Sequence, residues 1–226
     1  MSRPGGTVCR LAACIALVGS TACGVSVGQP INLAAPLRIV LGSPTPSGQR
    51  IPTPNGNVYS QACEKNEVVI GYTGTVDSGD GGTHQLRTFE ASCASLSLRG
   101  VTAPSVVTTP ARTLPVVGDM LGDIDQAQMC PANEMVVGFG GRSGSDIDQI
   151  AVNCAPLVVA GTYPSLVASI GTLDPRPPLG NPGGAPFDDI ACPSGQVAVG
   201  NEGRAAYTIN SFGLLCAAPA LVPVTP

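Results

Sequence analysis

Beyond residue 23, cysteines stand only at 63, 93, 130, 154, 192 and 216. Taken in order as Cys63 with Cys93, Cys130 with Cys154 and Cys192 with Cys216, the pairs have midpoints at Ser78, Arg142 and Arg204. These lie inside the glycine-rich segments VDSGDGG, GFGGRSGSD and GNEGRAA. Two strands folded about such a turn would bring each pair face to face. The incoming arms agree: one glycine recurs as Gly71, Gly138 and Gly200, another as Gly74, Gly141 and Gly203, after the apolar runs 68–70, 135–137 and 197–199. On the outgoing arms, Ala91 and Phe89, Val152 and Ile150, and Leu214 and Phe212 stand two and four residues before the second cysteine, on its own face of a strand. The spacing predicts an all-β chain built from three disulfide-stapled hairpins.

The repeat has a tail. CAPLVVAG from Cys154 is echoed by AAPLRIVLG from Ala34, which lacks the cysteine. With Ala34 in the place of a missing cysteine, three units of about 60 residues, roughly 34–93, 94–154 and 155–216, tile one domain over 34–226. Each would hold about four strands around a shared core. Helix is not expected, because 29 glycines and 22 prolines interrupt any apolar period of 3.6. Aromatics are 4% of residues and tryptophan is absent, so Val, Ile, Leu and Ala are expected to form the core. Each disulfide would then add about 3 kcal/mol on the chain-entropy estimate.

The first residues read as an export signal. Arg3 and Arg10 precede the apolar stretch LAACIALVG and the small-residue site GSTACG. Residues 1–22 are expected to be removed, leaving Cys23 as the lipidated first residue of a tether, 23–33. The alternative is an ordinary signal peptide cut near Ala22 and a secreted product. Export fits the even set of six remaining cysteines, since disulfides persist on oxidising faces such as the periplasm or the cell surface. The expected location is the outer membrane, its periplasmic face or the cell surface, with the lipid as the one membrane link. The uncharged stretch VNCAPLVVAGTYPSLVASIG from Val152 holds Pro156, Gly161, Pro164 and Gly171, and predicts buried strands, not a spanning helix.

Charge and motif content narrow the function. The formal charge is −4, Lys65 is the sole lysine, and no basic stripe exists, which sets nucleic acid aside. His84 is the only histidine, so a histidine-rich zinc site is excluded by count; H-E-x-x-H, C-x-x-C and a phosphate loop are absent. No metal or cofactor is expected, and no enzymatic activity; a glycan-active enzyme is the less favoured alternative. Asp188 and Asp189 are adjacent and would point to opposite faces of a strand; Asp123 and Asp125 share a parity, but nothing in the sequence indicates a cleft between them. Asp77, Asp80 and His84 in DSGDGGTH read as a solvated turn, and Glu202 with Arg204 as a local salt bridge. The candidate ligand site is Arg142, Ser143, Asp146 and Asp148 in GRSGSDID. A carboxylate beside donors on a rigid hairpin tip can meet the vicinal hydroxyls of a sugar; the alternative is that these aspartates satisfy their own turn.

The segment CPANEMVVGFGGRSGSDIDQIAVNC resembles the repeat of vitelline membrane outer layer protein I, through Cys130, Pro131, Gly138, Phe139, Asp148, Ile150, Val152 and Cys154. The third unit keeps Cys192, Pro193, Gly200, Asn210, Phe212, Leu214 and Cys216; the first keeps its cysteines and Gly71. The resemblance implies a β-prism of three Greek-key sheets about a pseudo-threefold axis, as in jacalin-like lectins, with an extracellular role and glycans as partners. The chain departs from that family in lacking tryptophan. The expected function is a non-catalytic surface module that binds glycans; the alternative is a structural envelope protein without a small-molecule ligand.

Overall fold

A computed structural model describes residues 36–77, 85–100, 103–118, 122, 124–162 and 165–224. Among them there is no helix. The strands in chain order are β1 (Leu37–Leu41), β2 (Thr45–Arg50), β3 (Asn57–Ala62), β4 (Glu67–Val76), β5 (Leu86–Arg99), β6 (Ser105–Thr113), β7 (Val117–Gly118), β8 (Ile124–Met129) and β9 (Glu134–Ser143). They continue with β10 (Ile147–Thr162), β11 (Ser165–Ile170), β12 (Asp174–Pro175), β13 (Leu179–Gly180), β14 (Ala185–Ala191), β15 (Val197–Ala205), β16 (Ile209–Ala217) and β17 (Pro219–Pro223). The uncharged stretch after Val152 runs through β10 and β11 as strands, and no helix of the described residues is long and apolar enough to cross a membrane.

Three antiparallel sheets form, each a hairpin flanked by two further strands. Sheet I has the order β6-β5-β4-β8, with β7 also along β5; sheet II has β11-β10-β9-β14, with β12 and β13 along β10; sheet III has β2-β16-β15-β3. In sheets I and II the flanking strands follow their hairpin in sequence, one returning beside it and the next crossing to the far edge, which is a Greek key. In sheet III the same two places are filled by β2 and β3 from the beginning of the domain. A ribbon of β1 and β17 completes that closure, and Val224 N donates to Pro36 O at 2.7 Å.

This topology fixes the phase of the repeat. β1 pairs with β17 as β6 pairs with the end of β5 and β11 with the end of β10. From the first residue of each return strand to the next cysteine the distances are alike, Leu37 to Cys63, Ser105 to Cys130 and Ser165 to Cys192. The strand β1 thus takes the place of a return strand, not of the tail after a cysteine; the echo of CAPLVVAG reflects two strands of similar apolar pattern.

The disulfides join Cys63 to Cys93, Cys130 to Cys154 and Cys192 to Cys216, with Cα separations of 5.8, 5.6 and 5.7 Å. Their reach is wider than one ribbon. Across the hairpin, Cys93 faces Val69, Cys154 faces Val136 and Cys216 faces Ala198, each six residues beyond the first cysteine of its pair. That first cysteine instead follows an edge strand of the neighbouring sheet, where Cys63 N donates to Val199 O, Cys130 N to Ile70 O and Cys192 N to Val137 O, all at 2.8 Å. Each staple therefore links two sheets, and the three together close a covalent ring around the prism.

Inward residues of all three sheets meet in one cluster containing Tyr72, Phe89, Phe139, Ile150, Phe212 and Leu214. Aromatics are scarce but concentrated here: Phe139 to Phe212 and Phe89 to Phe212 are edge-to-face pairs at 4.8 and 5.3 Å, and Tyr72 stacks edge-on against both Phe89 and Phe212. The centre is thus aromatic where composition alone suggested aliphatic packing. Burial pushes the Tyr72 and Tyr59 phenols well above their ordinary range. Beyond the disulfides, the three ribbons enclose a second, aliphatic cluster with Ile39, Val68, Val106, Met135, Leu157 and Val197. Two of the repeated glycines are required by their own hairpins: Gly141 and Gly203 have positive φ, and a β-carbon on either would collide with the carbonyl oxygen of Gln149 or Ser211 on the partner strand.

Candidate functional site

The expected ligand residues do come together, at the tip of the β9–β10 hairpin, and they are engaged with the protein itself. Arg142 donates from Nε to Gly183 O at 2.9 Å and from Nη2 to Gly184 O at 2.7 Å. Ser143 is buried and its Oγ accepts from Arg50 Nε at 2.9 Å. Asp146 accepts from Asn210 Nδ2 at 2.6 Å and from Gln85 Nε2 at 3.0 Å. Asp148 is 6% exposed, and its carboxylate occupies the space where side chains at Gly183 and Gly184 would lie. Asp146 thus connects a residue leading into β5 of sheet I with one in β16 of sheet III. The tip region is a polar junction among all three sheets.

The other polar groups resolve similarly. Glu202 and Arg204 do not pair with each other: Glu202 accepts from Gln49 Nε2 at 2.7 Å, and Arg204 donates to Gly56 O at 3.1 Å. Asp77 forms an ion pair with Arg87 at 2.5 Å, while Asp80 and His84 lie outside the described residues, as does Cys23. Among the described residues no group of three or more His, Cys, Asp or Glu could hold a metal ion.

An open groove lies elsewhere, on the outer face of sheet I. Inward positions Tyr72 and Phe89 leave their neighbours pointing out, so the ladder sets Asp125, Thr75 and Thr88 in one cross-strand row and Ala127, Thr73 and Glu90 in the next. Val116 stands beside Glu90, since its neighbour Val117 pairs with Phe89. These residues line a groove of about 480 Å³. Thr73 Oγ1 donates to Glu90 Oε1 at 2.9 Å, and the hydroxyls of Thr75 and Thr88 share a hydrogen bond of 2.8 Å. The floor is rigid because every polar group on it projects from a paired strand. A wider groove of about 690 Å³ begins on the other side of Val116, where Tyr207, 72% exposed, stands with Val58 and Asn57.

Internal symmetry shows what is special about sheet I. Twelve residues after the first cysteine stand Thr75, Arg142 and Arg204, paired across the hairpin with Thr88, Gln149 and Ser211. On the third strand beside them lie Asp125, Pro186 and Val58. In sheets II and III the arginine reaches over to hold carbonyls of the segment crossing that face, Gly183 and Gly184 in one and Gly56 in the other. Sheet I has a threonine there, with Gly122 packed directly on it, and the surface beside that contact is recessed. Sequence reasoning noted Asp125 and passed over Thr73, Thr75, Thr88 and Glu90. The available signal was the departure of unit one from the arginine shared by the other two.

No family model matches this chain, and no curated protein matches it. Among solved structures the chain is similar to Calystegia sepium agglutinin at 18% identity, covering 79% of this chain and 97% of that one with a TM-score of 0.47. It is likewise similar to the Calsepa lectin in complex with a biantennary N-glycan, at 17% identity, 77% and 97% coverage and TM-score 0.47. Artocarpin, described as a lectin with mannose specificity, gives 12% identity, 77% and 98% coverage and TM-score 0.45. The β-prism architecture stated above rests on this chain's own sheets, register and core.

Proposed function

We propose that this protein is an exported, non-catalytic surface module that binds glycans on the outer face of sheet I and is held to the membrane by a lipid on Cys23. The observation that carries the reading is the groove on paired strands with threonine hydroxyls, two carboxylates and one apolar wall. A pyranose presents vicinal hydroxyls along its edge and an apolar C–H face. Carboxylates accept from two hydroxyls at once, threonines both donate and accept, and a floor set by a β-sheet costs little ordering entropy on binding. The three disulfides support an oxidising destination.

A binding role also fits the placement of the carboxylates. Glu90 and Asp125 project from β5 and β8 with β4 between them, so ladder geometry puts their backbone anchors about 12 Å apart. The two carboxylates therefore stand at diagonal corners of the groove floor, with the threonines between them. The test is a glycan array with the purified protein beside a Thr75→Arg variant, which brings to sheet I the side chain of the other two sheets. Binding to a defined set of glycans that the variant loses supports the reading. Silence over a broad panel would favour a structural envelope role, and binding unchanged in the variant would move the site off this face.

A further inference from the structure

We infer that the groove of sheet I selects glycans carrying a free amino group over neutral and acidic ones, an inference that rests on the glycan-binding reading of that face. Its lining contains Glu90 and Asp125 and neither lysine nor arginine. Internal comparison shows that this charge is not a general property of the outer faces. At the positions of Glu90 the other sheets carry Ala151 and Gly213, and at the positions of Thr75 they carry Arg142 and Arg204. Sheet I alone combines two carboxylates with the loss of the arginine.

Neighbouring cations do not neutralise the groove. Arg87 is paired with Asp77, and Arg112 with Glu64 and Glu67. Among the described residues neither Glu90 nor Asp125 takes part in an ion pair; Glu90 accepts from the Thr73 hydroxyl, a contact that fixes its carboxylate without changing its charge. Ammonium groups on neighbouring pyranose rings would each meet one of these carboxylates in charge-assisted hydrogen bonds, while the remaining hydroxyls reach Thr73 and Thr75 and a C–H face lies on Val116. A uronic or sialic carboxylate in the same place is repelled, and an N-acetyl group removes the charge that the site recognises.

The experiment is calorimetric titration of the full protein with a glucosamine oligosaccharide, its N-acetylated counterpart and a glucuronate oligosaccharide of equal length. The amino form is expected to bind about tenfold more tightly than the N-acetylated one, in line with two partly exposed charge contacts, and to weaken with added salt. Glucuronate is expected not to bind. Glu90→Gln keeps the acceptor for Thr73 and should reduce the preference severalfold; Asp125→Asn provides a second, independent variant. Equal affinity for the amino and N-acetylated forms, or a preference untouched in both variants, would overturn the inference while leaving sugar binding in place. No binding by any of the three sugars, together with a silent array, would remove the underlying reading as well.

Discussion

Thr75 in sheet I and Arg142 in sheet II occupy the same place in their repeats, yet one borders a recess and the other is buried in contacts. Arg142 spends two donors on the carbonyls of Gly183 and Gly184 and so pins the segment that crosses its sheet. Thr75 shares a short bond with the buried Thr88 and packs under Gly122, while Glu90, Asp125 and Ala127 around it stay accessible. The difference shows that charge density in a turn is no guide to availability. At the junction of three sheets a guanidinium is consumed by backbone carbonyls and a carboxylate by side-chain amides that must be satisfied, whereas the short side chains of sheet I leave a surface for something else.

Breaking the junction should have the largest effect on stability. Asp146→Ala strands the amides of Gln85 and Asn210 and is expected to cost about 2–3 kcal/mol in denaturant unfolding, with sugar binding retained. Arg142→Ala frees the Gly183 and Gly184 carbonyls and should cost about 1–2 kcal/mol, again without loss of binding. A change of opposite sign is expected at Asn201, which stands at the repeat position of Tyr72 and Phe139, is fully buried, and has neither side-chain atom hydrogen-bonded. Asn201→Leu should raise stability by about 1 kcal/mol, measured by the same unfolding curve.

The remaining two changes sharpen the contrast at smaller cost. Thr75→Arg loses one hydroxyl contact and crowds Gly122, so stability should fall by about 1 kcal/mol while glycan binding disappears. Glu134 is held above the usual carboxylate range, chiefly by desolvation and then by Asp174, with Arg176 opposing. Its raised folded value means that the native state favours the protonated form, a contribution fully present below the unfolded value of about 4.3 and lost as pH rises through the folded one. Glu134→Gln should therefore leave stability unchanged in acid and flatten the decline above that pH in a series of thermal melts.

Much of the architecture was legible because cysteine and glycine positions repeat with little drift. The pairings, the strand character of the long apolar stretch after Val152 and the all-β class follow from that spacing. The exact turns did not, since Cys63, Cys130 and Cys192 directly follow the preceding edge strands and shift each apparent midpoint three residues ahead of the true hairpin centre. The phase of the repeat was obscured by the likeness of two apolar strands, β1 and the 154–161 part of β10. The groove was hidden for a different reason: Thr75, Glu90 and Asp125 come from three strands, and only the register places them on one face. Arg142, Ser143, Asp146 and Asp148 stood out because they are contiguous and polar, and sequence does not reveal which carbonyls and amides will claim them.

The most direct test is to map backbone amide shifts while titrating the protein with the strongest array ligand. Changes centred on Thr73, Thr75, Thr88, Glu90 and Asp125, with Arg142 to Asp148 unmoved, are the predicted result. Shifts confined to the 142–148 turn would contradict it.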